Sequence, residues 1–260
     1  MIYKTIDGHE LTADIFYNST TRNNPNNPAI AFFHGGGWVY GSPDEFFGAC
    51  ERFAKKDFVT ISFQYRLSIM DDGTHPNPDI SPIESVKDAR SAIRWIRENA
   101  KSLRIDKDKI VVAGQSAGGQ LSLSTALMDH VNEETDNLSI SPNPNAMLLY
   151  SSSVNMMEAW GEWHMGDRRE QIWSISPFHN LKKHMPPTIA FHGEEDCMVP
   201  FWVIQRFEEK MLELGNQYEL ISYQGRKHYL GKGNEKYATY FDEEIMERTD
   251  EFLEQRGFID

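Results

Sequence analysis

Short runs of consecutive apolar and β-branched residues recur along the chain: LTADIFY (11–17), PAIAFFH (28–34), FVTISFQY (58–65), KIVVAGQ (109–115), NAMLLYSS (145–152), PPTIAFHG (186–193) and YELISYQG (218–225). Several are near-continuous rather than alternating, the pattern of strands covered on both faces. Between them the apolar spacing changes. In SPIESVKDARSAIRWIRENA (81–100), Val86, Ala89, Ile93, Ile96 and Ala100 fall at three- and four-residue steps along one face of a helix. Ser81 and Pro82 ahead of it suit an N-cap followed by proline at the first helical position. The segments around 44–56, 117–130, 200–214 and 240–256 read the same way. Strands alternating with helices predict a twisted, mostly parallel α/β sheet with helices on both faces. No composition shift marks a boundary, so a single domain over 1–260 is expected.

Composition narrows the partners. Lys and Arg number 26 against 39 Asp and Glu, a formal net charge of −13, which disfavours nucleic acid and anionic membrane. No apolar run reaches membrane-spanning length, and the N-terminus lacks a basic start followed by an apolar block, so a cytoplasmic protein is expected unless a leader has been removed. The two cysteines, Cys50 and Cys197, form no CxxC and are expected to be buried or idle. No metal or cofactor is expected.

Two glycine-rich motifs change the picture. Lys109 to Gly119, KIVVAGQSAGG, places GxSxG directly after a strand and before a helix. A serine hydroxyl needs a base and must stand clear of the backbone, and a tight strand-to-helix turn provides that exposure. The second motif, HGGGW at 34–38, also ends a predicted strand. Glycines there let backbone N–H groups approach a ligand, and an oxyanion formed by serine attack needs such donors. On this composition GxSxG arises by chance in roughly one chain in ten and HGGG in about three per thousand. Together they point to Ser116 as nucleophile, with Gly36, Gly37 and Ala117 as oxyanion donors.

In this class of fold the chain order is serine, acid, histidine. The turn after 186–193 is acidic, Glu194-Glu195-Asp196, and His228 is the one histidine beyond it. Asp196 is the expected acid, with Glu195 the alternative should Asp196 only cap the helix near Val199-Pro200. His192 and His34 read as structural or loop-orienting residues. His130, His164, His179 and His184 read as surface or loop residues, and Asp88 as a solvated or tethering residue within its helix.

The motifs HGGGW, YRLS (65–68), KDARSAIRWIRENA, IDKDKIVVAGQSAGG, an SP pair (176–177) and HGEEDxxVP with a late histidine resemble the hormone-sensitive-lipase-like esterases of the α/β-hydrolase superfamily. In detail the chain is most similar to the feruloyl and acetyl-xylan esterase-like branch. That resemblance implies an eight-stranded α/β-hydrolase sheet, Ser116, Asp196 and His228 as triad, and Gly36, Gly37 and Ala117 as oxyanion hole. With 33 residues before His34, no large cap domain is expected. The Met- and Trp-rich stretch at about 154–175 reads equally as a small lid or as a helix packed on the core. Trp38, Gln115, Trp160 and Tyr229 are the candidate substrate-binding residues, Tyr229-Leu230 standing where the family commonly has an aromatic pair. The expected substrate is a short-chain, foremost acetyl, ester of a small molecule or oligosaccharide, with a homodimer left open. HGGGW also satisfies the HGGxW pattern of arylformamidases, which is the alternative activity. A non-catalytic interaction protein of the same fold is the third reading.

Overall fold

The computed structural model describes residues 1–70, 72–157, 159–233 and 242–259, the side chains of Ala159 and Trp160 excepted. The described strands form one eight-stranded sheet in the order β1 (Ile2–Ile6), β2 (His9–Phe16), β4 (Val59–Phe63), β3 (Asn27–Phe33), β5 (Ile105–Gln115), β6 (Ala146–Tyr150), β7 (Thr188–Gly193) and β8 (Tyr218–Tyr223). β1–β2 and β2–β4 pair antiparallel, and the pairs from β4–β3 through β7–β8 are parallel. Each apolar run named above forms a strand. β1 is the strand that the apolar runs do not announce. It buries Tyr3 and Lys4 and turns into β2 through Asp7 (φ 48°) and Gly8 (φ 79°), a hairpin turn that favours Asp-Gly.

The helices are α1 (Ser19–Asn23), α2 (Phe47–Ala54), α3 (Pro82–Glu98), α4 (Ala100–Leu103), α5 (Ala117–Leu127), α6 (Ala159–His164), α7 (Phe201–Glu213) and α8 (Glu243–Glu254). α3 starts as its sequence predicts. The Ser81 hydroxyl oxygen accepts the Ile83 N–H, and the Glu84 carboxylate returns to the Ser81 N–H at 2.8 Å, a reciprocal cap that satisfies orphan donors at the helix start. The segment expected from 44 opens as a 3-10 turn, Pro43–Phe46, before α2. Residues 240 and 241 of the last predicted helix lie outside the described residues. No helix among the described residues is long and apolar enough to cross a membrane.

The strands with both faces covered are β4, β6 and β7, every residue of which is buried. One core cluster lies on the α3 and α5 side, where Val86, Ala89, Ile93 and Ile96 meet Ala31, Phe33, Val112 and Leu121. The other gathers Phe32, Phe53, Val111, Leu148, Phe191 and Phe252 under α2 and α8. This two-sided burial fixes the carboxyl ends of β3, β5, β7 and β8 at one edge, where their loops converge.

One expectation is overturned, that of His164, and three that left alternatives open are resolved. Asp88 is fully buried, not solvated: its carboxylate takes the Lys4 ammonium at 2.7 Å and the Arg66 guanidinium at 2.8 Å, so it acts as a tether. His164 is a buried member of α6 rather than a surface residue. Cys50 is buried and free, and burial pushes its thiol up, whereas Cys197 is free but exposed on the acidic turn. In the stretch at 154–175, Met156, Met165, Ile172 and Ile175 pack into the core while Trp163 and Trp173 stay about half exposed. Packing and covering are thus divided between different residues of one segment.

Candidate active site

β5 delivers Ser116 at the turn into α5. Its backbone sits at φ 53°, ψ −118°, a region that L residues rarely adopt. Three hydrogen bonds hold that strain: Ser116 N–H donates to the Tyr150 carbonyl (3.0 Å), and its own carbonyl accepts from Gln120 (3.2 Å) and Ser153 (3.1 Å). The flanking glycines permit the turn. A Cβ on Gly118 would lie 1.9 Å from the Phe33 carbonyl oxygen, and one on Gly114 would lie 2.2 Å from that of Gly118. The GxSxG spacing therefore records where β3, β5 and α5 cross.

β3 ends in His34 and the three glycines. Gly36 takes φ 110°, where a Cβ would meet the Tyr40 carbonyl oxygen at 1.9 Å, and its own carbonyl closes the turn on Val39 and Tyr40 N–H, each at 3.1 Å. Among the described residues, the N–H groups of Gly36, Gly37 and Ala117 donate to no protein acceptor, and Gly36 and Gly37 line the same cleft as Ser116. The loop is braced from behind. His34 is buried, contacts the Gly35 carbonyl through Nδ1 at 2.8 Å and stacks on Tyr65 with centroids 4.2 Å apart. The Tyr65 hydroxyl donates to the His34 carbonyl (2.9 Å), and Ser68 gives both its N–H (2.8 Å) and its hydroxyl (3.1 Å) to the Trp38 carbonyl. The YRLS motif is the back wall of the glycine loop. Trp38 lines the cleft at φ 64°, its indole N–H held by Gln120 Oε1 at 3.1 Å.

The turn after β7 carries Asp196 and the loop after β8 carries His228. Asp196 is buried and its Oδ2 lies 2.8 Å from His228 Nδ1. Its Oδ1 accepts the N–H groups of Met198 (2.8 Å) and Val199 (3.0 Å), so one carboxylate caps the turn and faces the imidazole. Glu195 is exposed, which leaves Asp196 as the carboxylate on His228. A Cβ on Gly193 would strike the Arg226 carbonyl oxygen at 2.3 Å, so that glycine allows the two loops to touch. His192 is also buried. Its Nε2 meets the Val199 carbonyl at 2.8 Å and lies 3.3 Å from Asp196 Oδ2, and burial holds its imidazole below the usual range.

Ser116, His228, Gly36, Gly37, Trp38, Gln115 and Tyr229 all line one cleft. Gln115 Nε2 reaches the His228 carbonyl at 3.4 Å, and Tyr229 sits edge-on to the imidazole with centroids 5.5 Å apart. The Trp160 side chain lies outside the described residues. Asn155, Met156 and Gly161 come from the stretch that the sequence offered as a small lid, whereas Tyr40, Glu45, Ser153, Met198, Val199, Pro200 and Val203 also line the cleft and were not singled out for it. The one sequence signal for them was position, since each follows the carboxyl end of a strand. An imidazole backed by a buried carboxylate, lining one cleft with a strained serine and the glycine-loop N–H donors, has the parts for acyl transfer.

Comparison with known proteins places the chain in a family. The BD-FAE family model matches residues 13–149 and the prolyl oligopeptidase family model matches 83–248, each more than half of the chain. The solved apo form of Thermogutta terrifontis esterase 2 is 33% identical and superposes with a TM-score of 0.88, covering 100% of this chain and 95% of that one. The chain belongs to the α/β-hydrolase esterases. Within them it is of the hormone-sensitive-lipase type. A probable isoprenylcysteine α-carbonyl methylesterase of Arabidopsis thaliana is 27% identical over 77% of this chain and 45% of its own length. An arylesterase of Saccharolobus solfataricus is 38% identical over 42% of this chain and 33% of its own. The chain spans half or less of the length of the curated relatives it matches.

Proposed function

We propose that this α/β-hydrolase hydrolyses short-chain carboxylic esters, acetyl esters foremost, through an acyl-enzyme on Ser116. The observation that carries the reading is the buried Asp196–His228 pair on the same cleft as the left-handed Ser116. His228 Nε2 takes the Oγ proton as the serine attacks the acyl carbon. Asp196 Oδ2 holds Nδ1–H and stabilises the imidazolium that forms. The N–H groups of Gly36, Gly37 and Ala117 receive the oxyanion, and His228 returns the proton to the departing alcohol. Water then repeats the sequence and frees the acid.

The cleft's walls support a small acyl group. Met156, Met198, Val199 and Val203 give the cleft an apolar wall against which a short acyl group can pack. Solved forms of the Thermogutta esterase are described as propionate-bound and butyrate-bound. Gln115, Ser153 and Asn155 offer polar contacts around the serine, which suits a hydroxyl-rich alcohol such as an acetylated carbohydrate.

Ser116→Ala should lower kcat/KM on p-nitrophenyl acetate by about 10⁴-fold or more, with an unchanged circular dichroism melt. Retained turnover would require another nucleophile. In a panel of p-nitrophenyl esters, acetylated oligosaccharides and N-formylkynurenine, acetyl esters should carry the highest specificity constants. A preference for the decanoate would overturn the acyl assignment, and a preference for the formamide would replace ester by amide cleavage.

A further inference from the structure

The HGEED turn holds an imidazole that the reaction above does not use. His192 closes β7, is almost fully buried, and stacks on Phe201 with ring centroids 6.1 Å apart. Its Nε2 makes two contacts, 2.8 Å to the Val199 carbonyl oxygen and 3.3 Å to Asp196 Oδ2. A carbonyl oxygen only accepts, so Nε2 must carry the proton. That N–H is donated to the Val199 carbonyl, and its nitrogen passes 3.3 Å from the carboxylate oxygen to which His228 is hydrogen-bonded. Asp196 Oδ2 thus has one imidazole hydrogen-bonded to it and a second in close contact, while Oδ1 is taken by the Met198 and Val199 N–H groups.

We propose that His192 is a positioning residue: anchored on the Val199 carbonyl of the cleft wall, its Nε2–H dipole lies against Asp196 Oδ2 and helps to hold that oxygen toward His228. The idea rests on the reading of Ser116, Asp196 and His228 as the reacting set.

The division of labour follows from where each ring sits. Both imidazoles touch one oxygen, so either could in principle compete for it as a cation. The titratable groups facing His192 are Asp196 and His228; the Val199 carbonyl and Phe201 complete its surroundings. Burial outweighs the pull of Asp196 and keeps His192 neutral, as a donor of one fixed hydrogen. The positive charge created during acyl transfer is thereby left to the imidazole that lines the cleft with the serine. Removing the His192 N–H would take the positive end of a dipole from beside Oδ2. The carboxylate would gain charge density toward His228 and lose a restraint on its rotamer.

Three measurements on the full chain test this. In His192→Phe the ring and its stacking remain while the donor is lost. Its kcat on p-nitrophenyl acetate should fall about tenfold with KM within twofold, and the acid limb of kcat/KM should move to higher pH. In His192→Gln the amide Nε2 occupies nearly the place of the imidazole Nε2, and kcat and the acid limb should return toward wild type. In the wild-type protein, ¹⁵N shifts of His192 should report one neutral tautomer with Nε2 protonated across the activity range. A wild-type rate and profile in His192→Phe, equal losses in the Phe and Gln variants, or a His192 that is protonated on Nδ1 or titrates with the activity would each overturn the proposal. The ¹⁵N readout is taken on the wild-type protein and does not depend on how well these variants fold. Covalent labelling by paraoxon separates the two levels. Absence of a Ser116 adduct would remove the underlying reading, whereas a normal adduct with an unshifted His192→Phe profile would remove the positioning role alone.

Discussion

Single residues in this protein are shaped by crowding and by burial, and the two act differently. Gly36, Gly114 and Gly118 sit where a Cβ would meet backbone oxygen at 1.9–2.2 Å, so their identity follows from local geometry. His164 is set by burial. It lies in α6 against Trp163 and Trp38, and among the described residues neither ring nitrogen has a hydrogen-bond partner. Burial lowers it from 6.5 to about 4. The folded state therefore binds this proton less readily than the unfolded chain does. Its contribution is complete above 6.5 and is lost as pH falls from 6.5 through about 4, at a cost on the order of 1 kcal/mol by pH 5. His164→Leu should lose less melting temperature than wild type between pH 7 and pH 5, by about 2–4 °C per kcal/mol recovered. Equal acid sensitivity in the two proteins would show that His164 does not carry it.

At the scale of elements, α3 was legible in full because its signals are local: an apolar stripe, a serine cap, and a glutamate three residues on. The covering segment was less so. Glu84 at the start of α3 takes a two-pronged contact from Arg168 at 2.9 and 2.7 Å, and Arg168 also reaches the Asp79 carbonyl. This clamp joins a cap to a segment more than eighty positions away, a pairing that no periodicity encodes. Glu84 is held below the usual carboxylate range because Arg168 and the Ser81 N–H outweigh its burial. Arg168→Ala should loosen residues 159–175 while leaving the sheet intact. We expect amide exchange in α6 to quicken about fivefold, for a loss on the order of 1 kcal/mol, with KM rising more than kcat falls. Unchanged exchange in α6 would mean that core packing of Met165 and Ile172 alone holds the segment.

For the molecule as a whole, a buried ionic group joins the sheet edge to its helical layer. Lys4 of β1 and Arg66 after β4 both contact Asp88 of α3 and Glu133 beyond α5, over 2.7–2.9 Å. Buried charges of this kind add little over an apolar replacement of the whole set, but losing one member leaves its partners uncompensated. Asp88→Asn should therefore destabilise the protein by about 3–5 kcal/mol in denaturant unfolding, with specific activity per folded molecule near wild type. A loss below about 1 kcal/mol would show that water or Glu133 takes over the pairing.

The chain's periodicity and its two glycine motifs determined the sheet, the elbow at Ser116 and the turn at Gly36, since each depends on residues a few positions apart. Chain order was enough to single out His228. Tertiary structure decided which acidic residue meets it, because burial of Asp196 and exposure of Glu195 depend on how two loops pack. It also decided that His192 lies against the Asp196 carboxylate, that His164 and Asp88 are buried, and that Arg168 clamps the covering segment. Those outcomes depend on which distant surfaces exclude water together, and a linear pattern carries no record of that.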